Sequence, residues 1–112
     1  MAPESAVGLV FTALADPTRR AMVETLARRT DVTATSFAAE LPITRQAVTK
    51  HLAALRDAHL VRSKRVGREV HYRLEPENLA EAAAWIAEVG AEWDLRLERL
   101  GGMLEGRGEG PR

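Results

Sequence analysis

The stretch TRQAVTKHLAALRDAHLVRSKRVGREVHYRL, residues 44–74, decides the fold. Its first half has helical spacing, with Val48, Leu52 and Leu55 at i, i+4 and i+7 and therefore on one face. Thr44 stands ahead of that face with an oxygen that can accept from the free N–H groups of a first helical turn. The opposite face shows Arg45, Gln46, Thr49, Lys50 and Arg56. Just upstream, Phe37, Ala38 and Leu41 predict a short helix, capped by Thr33, Thr35 or Ser36, with Pro42 just beyond it. The turn between the two helices is expected to be tight, about three residues at most. Two helices in this arrangement, the second with a polar and basic outer face, can seat one helix in the major groove of DNA.

The second half of the stretch predicts two strands about a Gly67-Arg68 turn, glycine supplying the positive φ that a tight hairpin needs. A two-residue loop sets Arg65 against Val70, Ser63 against Tyr72 and Val61 against Leu74, a face that is apolar except near the tip. The other face holds Arg62, Lys64, His71 and Arg73. Arg62 then lies opposite Arg73, a like-charge pair that destabilises unless an anion sits between the two. The expected fold is mainly α with a β-hairpin wing, an α+β winged helix-turn-helix.

Working outward, SAVGLVFTALA carries Val7, Val10, Phe11 and Leu14 at helical spacing. Asp16 and Pro17 then start a second helix through Ala21, Met22, Val23 and Leu26, one as cap and the other with its φ preset. From Pro76 a long final helix is predicted. It has Leu79, Ile86, Trp93 and Leu100 seven residues apart, with Ala83, Gly90, Leu97 and Leu104 interleaved. Gly101 and Gly102 are expected to fray its end, and the polar, glycine-rich residues 105–112 to form a flexible tail. With 112 residues the chain suits one core, so residues 1–104 are read as a single domain.

Net charge is zero, yet its distribution is uneven. Residues 1–42 carry four basic and five acidic side chains, residues 43–74 eight and two, and residues 75–112 four and nine. A basic middle between neutral and acidic flanks suits a phosphate-facing surface. The chain has no cysteine, which excludes disulfides, thiolate metal sites and cysteine nucleophiles. It has no glycine-rich phosphate loop and no nucleophile elbow, so no enzyme is expected. Neither a membrane span nor a secretory leader is apparent, and a cytoplasmic location is expected.

Three strings in order, ALADPTRR, TRQAVTKHLAALRDAHLV and VGREVHYRL, resemble the ArsR family of winged-helix repressors, specifically members without an evident metal site. The resemblance covers residues 7–100. It implies that Thr44, Arg45, Gln46, Thr49, Lys50 and His51 face DNA, with Lys64, Arg65 and Arg68 on the wing. Arg45 and Gln46 suit base edges, since Arg can bridge guanine O6 and N7 and Gln adenine N6 and N7. Lys50 and the wing cations suit phosphates. The resemblance further implies a homodimer on a pseudo-palindromic duplex, with Val7, Val10, Phe11 and Leu14 of the first helix and Ile86, Trp93, Leu97 and Leu100 of the last at the two-fold interface.

The sequence departs from the family in two respects. The third-helix segment has no cysteine and residues 75–112 have no histidine. The family's metal release mechanism therefore does not carry over, no metal or other cofactor is expected, and any small-molecule effector stays unidentified. His59 stands where the family usually has glycine, a position requiring left-handed backbone, and is read as a structural cap. The competing reading is a helical protein-interaction module that does not bind DNA.

Overall fold

Short oxygen-bearing side chains write the helix starts into the first half of the chain, and the computed structural model, which describes residues 5–106, realises four of them. Helix α1 (Ala6–Leu14) begins where the Ser5 hydroxyl oxygen accepts from the Gly8 N–H at 3.0 Å. Helix α2 (Pro17–Arg28) begins where Asp16 accepts from the Arg19 N–H at 3.0 Å, with Pro17 in the first turn. Thr33 and Ser36 exchange side-chain-to-backbone bonds of 3.1 Å to open helix α3 (Ala34–Glu40), so of three candidate caps Thr33 is the one used. Thr44 accepts from the Ala47 N–H at 3.0 Å to open helix α4 (Arg45–Asp57).

The string ALADPTRR has a second purpose besides starting α2. Arg19 Nε donates to the Ala13 carbonyl at 2.6 Å, and Arg20 donates to the carbonyls of Leu14 and Ala15 at 2.6 and 3.2 Å. These are the orphan carbonyls of α1, and a cation there also offsets the negative end of the helix dipole. One motif thus ends one helix and begins the next.

Strand β2 (Val61–Val66) and strand β3 (Glu69–Leu74) pair antiparallel in the predicted register, including Val61 with Leu74, Ser63 with Tyr72 and Arg65 with Val70. Gly67 has φ 64° at the turn. A third strand was not expected. Strand β1 (Val32–Thr33) pairs antiparallel with β3, Val32 opposite Tyr72 and Thr33 opposite His71, giving the order β1-β3-β2. Residues 41–44 separate α3 from α4, so the turn is longer than predicted. Pro42 cannot donate a helical N–H, and Thr44 must stay extended to cap.

The described residues divide into two units, the first ending at Ala82 and the second beginning at Ala83. In the first, Val10, Met22, Phe37, Val48, Leu52, Leu55, Leu60 and Val61 form a fully buried core with no charged or polar residue among its buried members. Each such side chain contributes about 1.5–3 kcal/mol by leaving water. Val10 is 0% exposed. It was expected at a two-fold interface, but it faces its own chain's core; of the four predicted α1 residues Phe11 alone is exposed, and Val7 and Leu14 are half-buried against the same core.

Helix α5 (Pro76–Gly106) supplies the second unit from Ala83 onward. There Trp85, Ile86, Val89, Trp93, Leu97 and Leu100 are between 44% and 55% exposed. The helix passes through Gly101 and Gly102 instead of fraying at them. A glycine costs about 1 kcal/mol in a helix interior, a penalty that many established turns can carry. Glu105 and Gly106 remain helical, and the rest of the predicted tail, 107–112, lies outside the described residues.

Candidate nucleic-acid interface

Helix α4 owes its orientation to Val48, Leu52 and Leu55, all fully buried. Fixing that face turns Arg45, Gln46, Thr49 and Lys50 outward, and all four are exposed. The helix ends in a Schellman motif, in which the His59 N–H donates to the Arg56 carbonyl and the Leu60 N–H to the Leu55 carbonyl, both at 2.9 Å. His59 has φ 59°, the left-handed conformation expected of it. That cap swings the chain directly into β2 and so sets the wing beside the helix.

Helix and wing meet in a cleft of about 250 Å³ lined by Arg45 and Thr49 of α4, Arg68 and Val70 of the wing, Tyr72, and Thr35 of α3. Glu69 also lines it, the one carboxylate there. Arg45, Gln46 and Thr49 line a shallower surface concavity together. Lys64 lies elsewhere, in a concavity on the other face of the sheet with Arg62, His71 and Arg73. Arg65 and Arg68 are exposed at the hairpin end.

Among the described residues, Arg45, Lys50, Lys64, Arg65 and Arg68 make no ion pair with a carboxylate, whereas Arg29 is held by Glu40 at 2.9 Å and Arg62 by Glu75 at 2.8 Å. Cations left without internal partners are available to an external anion. Two of the predicted contacts are partly committed inside the molecule. The Thr49 hydroxyl donates to the Arg45 carbonyl at 3.0 Å, leaving its lone pairs and not its proton for a ligand. Arg19 Nη1 lies 3.4 Å from His51 Nδ1, and Asp16 Oδ2 lies 4.0 Å from the same nitrogen.

The Arg19 N–H holds the Asp16 carboxyl below its ordinary range, aided by the charges of His51 and Arg19 and opposed by partial burial. Asp16, Arg19 and His51 therefore form one polar junction between the α1–α2 corner and α4. Sequence reasoning missed Arg19 and Glu69. Arg19 carried no signal for its contact with His51, which lies 32 residues further on. Glu69 carried one, an acidic residue beside Arg68 at a basic tip. Among the described residues no group of three His, Cys, Asp or Glu is placed to hold a metal, and no helix is long and apolar enough to cross a membrane.

A capped helix-turn-helix with a three-stranded wing defines the class: a winged helix-turn-helix DNA-binding protein. The model of a helix-turn-helix domain matches residues 14–64. The chain is 35% identical over 99 residues to the HTH-type transcriptional regulator Rv2034 of Mycobacterium tuberculosis, covering 88% of this chain and 89% of that one. An ArsR-like transcriptional regulator from Rhodococcus sp. RHA1 superposes with a TM-score of 0.75 at 41% identity, over 88% of this chain and 92% of its own. A homodimeric winged helix-turn-helix DNA-binding domain from Mycobacterium bovis, described as a possible ArsR-family regulator, superposes at 0.62 and 26%, over 82% and 92%. The chain belongs to the ArsR family of transcriptional regulators.

Proposed function

We propose that the protein is a homodimeric, cytoplasmic repressor that binds a pseudo-palindromic DNA duplex and performs no enzymatic step. One observation carries this reading: the cations of α4 and the wing tip lack internal partners while Arg45 and Arg68 line a common cleft. In the reading, α4 enters the major groove, with Arg45 and Gln46 at base edges near its N-terminus. Lys50, Lys64, Arg65 and Arg68 hold phosphates, and Thr44 and His51 lie at the edge of the contact. Repression follows from occupancy, since a dimer across two half-sites excludes other proteins from the same duplex. In the same reading Val7, Phe11 and Leu14 of α1 and Ile86, Trp93, Leu97 and Leu100 of α5 serve self-association; the homodimeric Mycobacterium bovis domain supports a homodimer.

The test is selection of bound fragments from a random duplex pool, followed by insertion of about five base pairs between the recovered half-sites. Half a helical turn puts the second half-site on the wrong face of the duplex, so tight binding should vanish. Unchanged affinity after the insertion would refute the symmetric dimer. Affinity should also fall steeply with salt, as phosphate contacts release counterions. A flat salt response would favour an interaction module that ignores DNA.

A further inference from the structure

Arg19, in the first turn of α2, lines neither the α4 cleft nor the concavity beside it, yet its side chain reaches α4. The guanidinium donates from Nε to the Ala13 carbonyl at 2.6 Å and from Nη2 to the Thr12 carbonyl at 3.4 Å, both near the end of α1. The third nitrogen of the same fork, Nη1, stands 3.4 Å from His51 Nδ1, with Asp16 Oδ2 at 4.0 Å from that ring nitrogen. Asp16 is itself fixed, because Oδ2 accepts from the Arg19 N–H as the cap of α2. One turn away from His51 on its own helix stand Ala47, Val48, Ala54 and Leu55, none of them charged. The far nitrogen of the ring, Nε2, makes no hydrogen bond among the described residues. No buried side-chain nitrogen or oxygen among them lacks a partner, so Nε2 is open to solvent.

We propose that Arg19 is a positioning residue for DNA binding: it selects the tautomer of His51 and so decides whether α4 turns a donor or a lone pair toward the duplex. The proposal rests on the DNA-binding function above. An arginine N–H can only donate, and the oxygens of a backbone phosphate can only accept. Arg19 beside Nδ1 therefore demands a lone pair on that nitrogen, and a neutral imidazole with a bare Nδ1 carries its proton on Nε2. The solvent-open nitrogen then offers an N–H that a phosphate can accept. Asp16 pulls the other way, since a carboxylate oxygen favours a proton on Nδ1. That tautomer leaves a lone pair on Nε2, which a phosphate repels. Arg19 is the nearer of the two neighbours, at 3.4 against 4.0 Å, and the carbonyls of Thr12 and Ala13 hold its fork in place. Its demand prevails, although Arg19 touches no part of the DNA-facing surface itself.

The tautomer is read from the His51 ring nitrogens by proton–nitrogen NMR at about pH 8, above the ordinary range of imidazole titration, the signals being assigned by their absence from His51→Gln. The wild type should show a bare Nδ1 and a protonated Nε2, and Arg19→Met should move the proton to Nδ1, where Asp16 accepts it. On the selected operator, titrated by fluorescence anisotropy, Arg19→Met should lose about tenfold in affinity, the worth of one hydrogen bond to a charged group. In the His51→Gln background the same change should cost less than about twofold, because a glutamine amide turns an N–H outward whatever stands at position 19. If Arg19→Met does not fold, Arg19→Lys takes its place with the same outcomes expected, since one ammonium cannot serve Ala13 and His51 together as the fork does. A proton on Nδ1 in the wild type, or a tautomer that the Arg19 variant leaves unchanged, overturns the proposal alone. Equal affinity losses in the two backgrounds overturn it as well, because they reduce Arg19 to a tie between α1 and α2. A wild-type protein that binds no duplex at any salt overturns the DNA-binding reading and this proposal with it.

Discussion

Arg45 and Lys64 carry the same charge, yet their loss should be felt differently. Arg45 lies in the α4 cleft with Thr49 and Arg68, where a guanidinium can address the two acceptors of guanine. Arg45→Ala should cost about 1–3 kcal/mol on the best operator and relax preference at one or two positions per half-site. Lys64→Ala should weaken all sequences alike, and competition assays against a panel of point-changed operators separate the two patterns. Equal, sequence-blind losses would show that base reading has been assigned to the wrong side chain. Asp16 makes a different prediction. Its carboxyl titrates below the ordinary carboxylate range in the folded protein, so its contribution is fully present above the ordinary value. It is then lost as pH falls through the still lower folded value. Asp16→Asn should keep the cap and flatten the acid limb of the melting temperature against pH, and an unaltered limb would count against that linkage. At this scale the caps were legible, because Asp16, Thr33 and Thr44 act on N–H groups three residues on. Arg19 was not, because it reaches six positions back to Ala13 and 32 on to His51, distances that only the folded chain brings within reach.

Among the elements, the β2–β3 hairpin was the most readable, down to the Arg62–Arg73 pair, because a two-residue loop leaves one pairing that keeps Val61, Tyr72 and Leu74 on one face. The loop depends on Gly67. A Cβ there would meet nothing within 4 Å, so at φ 64° any penalty is conformational and not steric crowding. Gly67→Ala should cost about 1–2 kcal/mol and Gly67→Asn clearly less, both read from the urea midpoint. Equal costs would mean that the turn relaxes to another type. Strand β1 escaped the reading because two residues, Val32 and Thr33, have no period to detect. Only the neighbouring edge of β3 defines them. The stretch between α3 and α4 was underestimated for a related reason: Pro42 was legible as a stop, but the length needed to bring Thr44 into capping position was not.

On the scale of the whole molecule, the apolar face of α5 was visible as a seven-residue recurrence, and Ile86, Trp93, Leu97 and Leu100 are indeed about half exposed. Nothing in the spacing marked Arg96 as lying over the Trp93 ring, 5.3 Å from its centroid, a placement that keeps one of the two arginines of α5 beside the proposed seam. Trp93→Asp should convert the dimer to a monomer in sedimentation experiments, since an unpaired carboxylate buried at a seam costs about 3–5 kcal/mol. Specific DNA affinity should fall with it, roughly a hundredfold, because one recognition helix cannot span two half-sites. A variant that stays dimeric with normal operator binding would remove Trp93 from the interface.

The sheet order β1-β3-β2 also bears on how the protein folds. The β2–β3 hairpin closes locally, but β1 reaches β3 only across about forty residues that include all of α3 and α4, and a loop that long is entropically costly to close while it is slack. Docking the two helices shortens it. Pairing of the third strand is therefore favoured once α3 and α4 have docked. A newly made chain with a misplaced α4 leaves the edge of β3 unpaired, the kind of exposed edge that marks an immature protein for refolding or removal.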